Sequence, residues 1–210
     1  MEQDFPHDLG IGEKSEHQHG HGPPCPVGGP RIPQGGLPPG SRTRRLWYGW
    51  GMDLFEEFFA IIQALDGARI RYAVVGGLAM AFHDEPRFTR DIDFLIHPDD
   101  ASRVPATMMA NAYVEATEPW TFQTTPLTLY RYIRTDGEDH LVVDVLVGDQ
   151  ARYREIVEAA TDEPWSNGTA KVVRREDLIW LKEQRGSDQD RLDIRRLQDD
   201  QNREGSSPGE

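Results

Sequence analysis

The feature that most constrains this chain is an apolar run that ends in two glycines, followed by an acid-apolar-acid triplet that opens a second apolar run. The first is Val74-Val75-Gly76-Gly77, and the second begins at Asp91-Ile92-Asp93. Because side chains along a β-strand alternate between the two faces, Asp91 and Asp93 are expected on the same face. Two carboxylates on one strand face beside a glycine turn are suited to a divalent cation that carries a phosphate chain.

Hydrophobic periodicity around these runs predicts an alternation of helices and strands. Helices are predicted at 53–66, 78–82, 101–112, 151–160, 176–184 and 188–198, and strands at 71–75, 91–96, 127–134, 141–147 and 170–173. The strands at 127–134 and 141–147 are separated by the turn-rich 136–139 and are expected to form a hairpin. The predicted fold class is α/β (α+β): a mixed sheet flanked by helices, with a helical C-terminal portion.

The composition along the chain predicts one domain between two irregular ends. Residues 1–50 are rich in glycine and proline and have almost no apolar periodicity, so they are expected to be a disordered extension. Residues 51–200 are assigned to the domain, and 201–210 to a disordered tail. Met52 is a candidate for the biological start. The alternating histidines of the extension are interpreted as part of a solvated tail rather than as metal ligands: His17, His19 and His21.

Charge and hydropathy limit the partners and the location that we expect. The 23 basic and 36 acidic residues give a net charge of −13, which argues against a surface built for non-specific binding of nucleic acid. A local basic rim is still conceivable from four arginines: Arg131, Arg134, Arg152 and Arg154. We expect no membrane span, since no apolar run approaches the length of about 18 residues that one requires. With the single cysteine Cys25 and no signal-peptide pattern, a cytoplasmic location is expected.

Three features converge on one candidate site. Gly76 and Gly77 lie between a strand and a helix, where a ligand can approach the backbone N–H groups, although a tight turn alone would also explain them. Asp91 and Asp93 begin a largely apolar strand, where two like charges are costly unless a cation or hydrogen bonds satisfy them. Asp144 interrupts the apolar run 141–147, and it either joins these acids or pairs with an arginine.

This combination resembles the nucleotidyltransferase superfamily with a polymerase-β-like catalytic core. The resemblance extends from about Asp53 to Leu197, and its most specific part is Gly76-Gly77 followed by Arg87-x-Thr89-x-Asp91-x-Asp93. The subgroup that the chain resembles most is the AbiEii-type nucleotidyltransferases, which are toxins of bacterial toxin–antitoxin systems. Many nucleotidyltransferases have Gly-Ser where this chain has two glycines, so a hydroxyl that contacts phosphate is absent here.

The resemblance implies a metal-dependent transfer of an NMP from an NTP to an acceptor hydroxyl. It implies that three acids bind Mg²⁺ or Mn²⁺ and are catalytic: Asp91, Asp93 and Asp144, the last also as general base. It further implies a set of nucleotide-binding residues: Gly76, Gly77, Arg87, Thr89 and Lys182. The alternative for Lys182 is an ordinary exposed helical lysine. The acceptor is RNA, a protein or a small molecule, and a toxin would have a cognate antitoxin.

Other classes of function remain open from the sequence. The main alternative is a non-catalytic protein that binds a nucleotide or a partner on the same fold. A glycosyltransferase also uses an Asp-x-Asp pair with a metal and a nucleotide diphosphate, but it does not require the glycine pair or a third acid. No pattern of zinc ligands competes, and His83, which lies between the glycines and the acids, is interpreted as a packing or polar contact.

Overall fold

The computed structural model describes residues 53–165 and 168–204. The predictions for residues 1–50, for Met52 and for Cys25 lie outside the described residues. The helices are α1 (Leu54–Gly67), α2 (Gly76–Phe82), a 3₁₀ helix (Pro98–Arg103), α3 (Val104–Ala110), α4 (Ala151–Glu158), α5 (Arg175–Arg185) and α6 (Asp188–Glu204). The strands are β1 (Tyr72–Val74), β2 (Asp91–Ile96), β3 (Val114–Glu115), β4 (Trp120–Thr121), β5 (Leu127–Asp136), β6 (Asp139–Gly148), β7 (Thr161–Trp165) and β8 (Gly168–Val172).

The strands form one mixed sheet in the order β3-β5-β6-β2-β1-β8-β7, with β4 also paired to β5. In the middle of the sheet, β2 is antiparallel to β1 and parallel to β6. The strands β5 and β6 form the expected antiparallel hairpin, in which Asp136 pairs with Asp139. The predicted mixed sheet flanked by helices is therefore confirmed, and no helix among residues 53–165 and 168–204 is long and apolar enough to cross a membrane.

Helix α1 shows how the sequence builds the core on one face of this sheet. The Asp53 carboxylate caps the helix by accepting from the N–H groups of Phe55 and Glu56. Its buried residues have the spacing of one helical face: Phe58, Ile61, Ile62 and Leu65. Phe58 stacks on Phe94 of β2 with ring centroids 6.1 Å apart. Burying each such side chain contributes about 1.5–3 kcal/mol, so a Phe58→Ala substitution would loosen the attachment of α1 to β2.

The register between β2 and β6 is what brings the acids together. Asp93 lies directly opposite Asp144, and Asp91 lies opposite Val142. On the reverse face of β2, Phe94 is completely buried under α1. The alternation of the strand therefore places the apolar side chains in the core and leaves Asp91 and Asp93 on the other face.

Several elements differ from the prediction, each for a physical reason. The helix expected at 101–112 is divided at Pro105, which lacks an N–H and stands in the first turn of α3, so a 3₁₀ helix precedes it. The short strands β3, β4 and β7 were not predicted, because only pairing with β5 and β8 makes them strands. Helix α6 continues beyond its predicted end at Gln198 to Glu204.

Candidate active site

The centre of the candidate site is the acid cluster, defined as Asp91, Asp93 and Asp144. One carboxylate oxygen from each lies within 4.8 Å of the others. Asp144 is buried, whereas Asp91 and Asp93 are half-buried. Three carboxylate oxygens at this spacing form a donor set of the kind that Mg²⁺ and Mn²⁺ prefer. The sequence grouped these acids, and the structure brings them together.

The carboxyl of Asp93 is held in an unfavourable electrostatic environment. Burial, and after it the negative charges of Asp91 and Asp144, raise the pKa of Asp93 to about 7. Arg185 and the N–H of Gly77 act in the opposite direction but do not cancel this effect. Because the shift comes partly from like charges, a cation at this point would favour the ionised carboxylate.

The glycine pair is required because Asp93 lies close to Gly76 and Thr89 lies close to Gly77. Gly76 has φ +65°, and a Cβ on it would overlap the carboxyl group of Asp93. A Cβ on Gly77 would lie 2.6 Å from Thr89 Oγ1, far too close for two non-bonded atoms. The structure therefore places both glycines beside the acid cluster, and their role in binding a nucleotide stays a prediction.

Thr89 positions one of the three acids. Its Oγ1 lies 2.5 Å from Asp91 Oδ1 and donates a hydrogen bond to it. This contact orients the Asp91 carboxylate on the exposed side of β2. The sequence did not indicate this hydrogen bond between Thr89 and Asp91, and the contact of Thr89 with a nucleotide stays a prediction.

Asp144 satisfies both interpretations that the sequence left open. It belongs to the acid cluster, and it also pairs with an arginine. Arg131, opposite to it on β5, donates from Nε to Oδ1 at 2.7 Å and from Nη2 to Oδ2 at 2.6 Å. The guanidinium of Arg131 also lies 5.6 Å from the ring centroid of Trp120 on β4. Arg131 therefore contacts both a carboxylate and an aromatic ring at the edge of the site.

The two remaining basic residues of the predicted site lie in a second group of charges. We call this group the helix network, and its members are Arg87, Lys182, Arg185, Asp190 and Asp193. Lys182 Nζ lies 2.6 Å from Asp193 Oδ2 and is only 3% exposed, so the alternative of an exposed lysine is wrong. Arg87 Nε donates to Asp193 Oδ2 at 3.1 Å. The nucleotide contacts proposed for Arg87 and Lys182 stay predictions.

The helix network joins α5 and α6 beside the acid cluster. Arg185 donates to both oxygens of Asp190, at 2.7 and 2.6 Å, and its charge acts on Asp93. Arg185, Asp190 and Asp193 were not among the predicted site residues. A signal was available, because Lys182 and Arg185 are three residues apart on one helix, as are Asp190 and Asp193 on the next, and residues at this spacing share a helix face.

The four arginines named as a conceivable basic rim are engaged in ion pairs within the fold. Each of the four arginines is paired with a carboxylate: Arg131 with Asp144, Arg134 with Glu57, Arg152 with Asp177 and Arg154 with Asp99. Arg131 and Arg134 also stand three residues apart on β5, so they project from opposite faces. These arginines contribute to ion pairs within the fold rather than to a common surface.

The contact expected for His83 is observed. Its Nε2 lies 2.9 Å from the carbonyl oxygen of Val173. Burial lowers the pKa of His83, so at neutral pH the ring is uncharged and its Nε2–H donates to this carbonyl.

A cavity of about 210 Å³ lies apart from the acids. Its lining includes Tyr130, Tyr132 and Val145, which alternate along their strands with Arg131 and Asp144 and so face the other side of the sheet. The cavity is therefore not part of the candidate active site.

This chain matches the sequence model of a protein family. The sequence model of the family described as "Nucleotidyl transferase of unknown function (DUF2204)" matches residues 54–206. The matched range includes the acid cluster, the glycine pair and the helix network. No curated protein matches the sequence.

The solved structures that are similar to this one include the following three. A candidate nucleotidyltransferase from Thermotoga maritima (TM1012) has a TM-score of 0.49 and 12% identity, covering 73% of this chain and 99% of that chain. The lincosamide antibiotic adenylyltransferase LnuA, bound to lincomycin, has a TM-score of 0.46 and 12% identity, covering 68% and 95%. ANT(2'')-Ia in complex with adenylyl-2''-tobramycin has a TM-score of 0.41 and 13% identity, covering 60% and 71%.

Proposed function

This chain belongs to the DUF2204 family of nucleotidyl transferases, and on that premise we propose that it transfers an NMP from an NTP to an acceptor hydroxyl with a divalent metal. The observation that carries this proposal is the acid cluster, whose three carboxylate oxygens lie within 4.8 Å of one another beside the glycine pair. Mg²⁺ or Mn²⁺ held by Asp91, Asp93 and Asp144 would neutralise charge on the triphosphate and lower the pKa of the acceptor hydroxyl.

Each residue of the site has a role in the proposed reaction. The acceptor oxygen forms a bond to the α-phosphorus, the bond between that phosphorus and the β-phosphate oxygen breaks, and pyrophosphate leaves. Asp144 is assigned to accept the proton of the acceptor hydroxyl. Thr89 orients Asp91 through its hydrogen bond, and Gly76 leaves the space that the Asp93 carboxylate occupies. Arg87, beside Gly77, is assigned to the phosphates of the nucleotide.

The test is an assay of the full chain with each α-labelled NTP, Mg²⁺ and a cell lysate, in which both pyrophosphate release and labelled products are measured. We expect label from at least one NTP in a product, and we expect Asp93→Asn to lower pyrophosphate release about 10⁴-fold, the size expected for loss of a residue from a unit that acts together. The matched control is Asp99→Asn, since Asp99 is exposed and pairs with Arg154. It is expected to keep full activity.

The same assay separates the catalytic proposal from the binding alternative and identifies the class of acceptor. A wild type and an Asp93→Asn variant that bind NTP but release equally little pyrophosphate would support a non-catalytic binding protein. If label is transferred, the lysate is treated in three ways before the assay: with ribonuclease, with protease, or by filtration that removes macromolecules. Loss of the labelled product after ribonuclease indicates an RNA acceptor and loss after protease a protein acceptor, whereas a product that survives filtration indicates a small molecule.

A toxin role is a narrower proposal, and it rests on the resemblance to the AbiEii-type enzymes in the glycine and Asp-x-Asp motifs alone. Induced expression of the wild type would arrest bacterial growth, and co-expression of a neighbouring antitoxin gene would restore it. Growth arrest by Asp93→Asn to the same degree would contradict a toxin that acts by nucleotidyl transfer.

A further inference from the structure

The feature that the proposed mechanism leaves unexplained is the arginine on its third acid. Arg131 engages both oxygens of Asp144, at 2.7 and 2.6 Å, although Asp144 is one of the three acids placed to hold a metal. The Asp144 side chain is 6% exposed, whereas the Arg131 side chain is 38% exposed. The carboxylate is thus fixed in the sheet, and the guanidinium is the partner with room to move.

A metal ion on Asp144 would compete with Arg131 for the same carboxylate. Besides its hydrogen bonds to Asp144, the Arg131 guanidinium interacts electrostatically with Asp91 and Asp93. A guanidinium stays protonated throughout the physiological range, so a positive charge is always present where a cation on Asp144 would be. Two cations on one carboxylate repel each other.

In this reaction the Arg131 guanidinium could bind a phosphate group of the nucleotide instead of the Asp144 carboxylate. Its planar pair of N–H donors matches the oxygens of a phosphate group as well as those of a carboxylate. Trp120 lies beneath the guanidinium at 5.6 Å, so the arginine has a contact that can guide it when it leaves the carboxylate.

The geometry points to Arg131 as an exchangeable counter-ion that holds Asp144 until metal and nucleotide bind together, and then donates to the nucleotide's phosphate oxygens. This inference rests on the proposed function. It follows that the metal binds weakly by itself, because it must displace Arg131 without a new partner for the guanidinium. With a nucleotide present the displaced guanidinium has a partner, so each ligand strengthens binding of the other by the same factor.

The experiment measures Mn²⁺ binding to the full chain by calorimetry, with and without a non-hydrolysable NTP analogue. Arg131→Gln is expected to bind Mn²⁺ alone about tenfold more tightly than the wild type, since a repelling charge is removed. The gain in Mn²⁺ affinity on adding nucleotide is expected to be at least about fivefold smaller than in the wild type, and the remaining gain comes from direct contact between the metal and the triphosphate. Arg134→Gln is the matched control, since Arg134 lies on the same strand but faces Glu57 on the other side. It is expected to behave as the wild type.

A purely structural role for the Arg131–Asp144 pair predicts a different result. Arg131→Gln would then melt at a lower temperature, with Mn²⁺ affinity and metal–nucleotide coupling unchanged, and this outcome would overturn the inference. Arg131→Lys decides the question if the glutamine variant does not fold. Lysine keeps the charge but cannot form the bidentate hydrogen bond, so we expect the coupling between metal and nucleotide to fall at least about fivefold. Coupling equal to that of the wild type would also overturn the inference.

Failure of this inference and failure of the proposed function give different results. If the wild type binds Mn²⁺ no better than Asp93→Asn does, with or without nucleotide, the proposed metal site is wrong. If the wild type binds Mn²⁺ in a way that requires Asp93 but Arg131→Gln matches it in affinity and coupling, only the role of Arg131 is wrong.

Discussion

Two neighbouring groups of charged residues, the acid cluster and the helix network, contrast in how their charges are balanced. The helix network has three cations for two carboxylates, and both carboxylates are completely buried. The acid cluster has three carboxylates and, among residues 53–165 and 168–204, a single paired cation, Arg131. Both groups contain buried aspartates, so the residue type does not account for the difference.

The pKa values of the carboxyl groups differ between the helix network and the acid cluster. In the helix network, burial opposes ionisation, but hydrogen bonds from Lys182 and Gln189 still leave the pKa of Asp193 lowered. In the acid cluster, burial and like charges raise the pKa of Asp93 to about 7. The ionised helix network therefore stabilises the fold without any ligand, whereas the acid cluster lowers the stability of the metal-free fold. A group of charges that is left unbalanced within the fold is the better candidate for a binding site.

The largest effect is expected from breaking the balanced group. Asp193→Ala leaves the buried Lys182 with Asp190 at 3.8 Å and the half-buried Arg87 without the carboxylate that they share, and should lower the free energy of unfolding by about 3–5 kcal/mol. Urea denaturation measures this. Asp188→Ala is the control, because Asp188 is exposed and pairs only with Arg191 at the surface, and it should cost less than about 1 kcal/mol. Equal losses in the two variants would show that the network does not stabilise the fold.

An intermediate effect is expected from disturbing the acid cluster through its backbone. Gly76→Ala places a methyl group into the Asp93 carboxyl at φ +65°, and should lower stability by about 2–3 kcal/mol. Gly137→Ala is the matched control, since Gly137 has φ +61° and no neighbour within 4 Å of an added Cβ. It carries only the backbone strain of about 1 kcal/mol. Thermal unfolding and stabilisation by Mn²⁺ are measured, and Gly76→Ala alone should lose the response to Mn²⁺.

The smallest effect is the pH dependence of stability in the metal-free protein. Because the pKa of Asp93 is raised from 3.8 to about 7, the folded state retains this proton more readily than the unfolded state. The Asp93 contribution to stability is therefore lost progressively as the pH rises from about 4 to about 7. The full shift would correspond to roughly 4 kcal/mol, but Asp93 is half-buried and partly screened by solvent. Asp93→Asn should therefore be more stable than the wild type by about 1–2 kcal/mol at pH 8, and equally stable at pH 4.

The helix network should show the opposite sign in the same titration. The pKa values of Asp190 and Asp193 are lowered, so their contribution is present above about pH 4 and is lost as the pH falls below it. Urea denaturation in EDTA across this range checks both effects. An Asp93→Asn variant with the same slope as the wild type between pH 4 and 7 would contradict the description of the acid cluster.

Much of the fold was predictable because it depends on local patterns. The strand at 91–96 and the helix at 53–66 were predicted within one residue, since each has a clear period and a capping or bounding residue. The strands β3, β4 and β7 were not predictable in this way. Strand β7 contains Asp162, Glu163 and Pro164 and is a strand because it pairs with β8, which is a relation between distant segments.

The candidate site divides in the same way between sequence and tertiary structure. The sequence by itself determined that Asp91 and Asp93 share a strand face, because that follows from the period of two along a strand, and that glycines precede them. Only the tertiary structure decided that Asp144 lies opposite Asp93, that Arg131 holds Asp144, and that Lys182 is buried against Asp193. Strand register and helix packing set these contacts, and they depend on burial summed over the whole sheet rather than on any one stretch of residues.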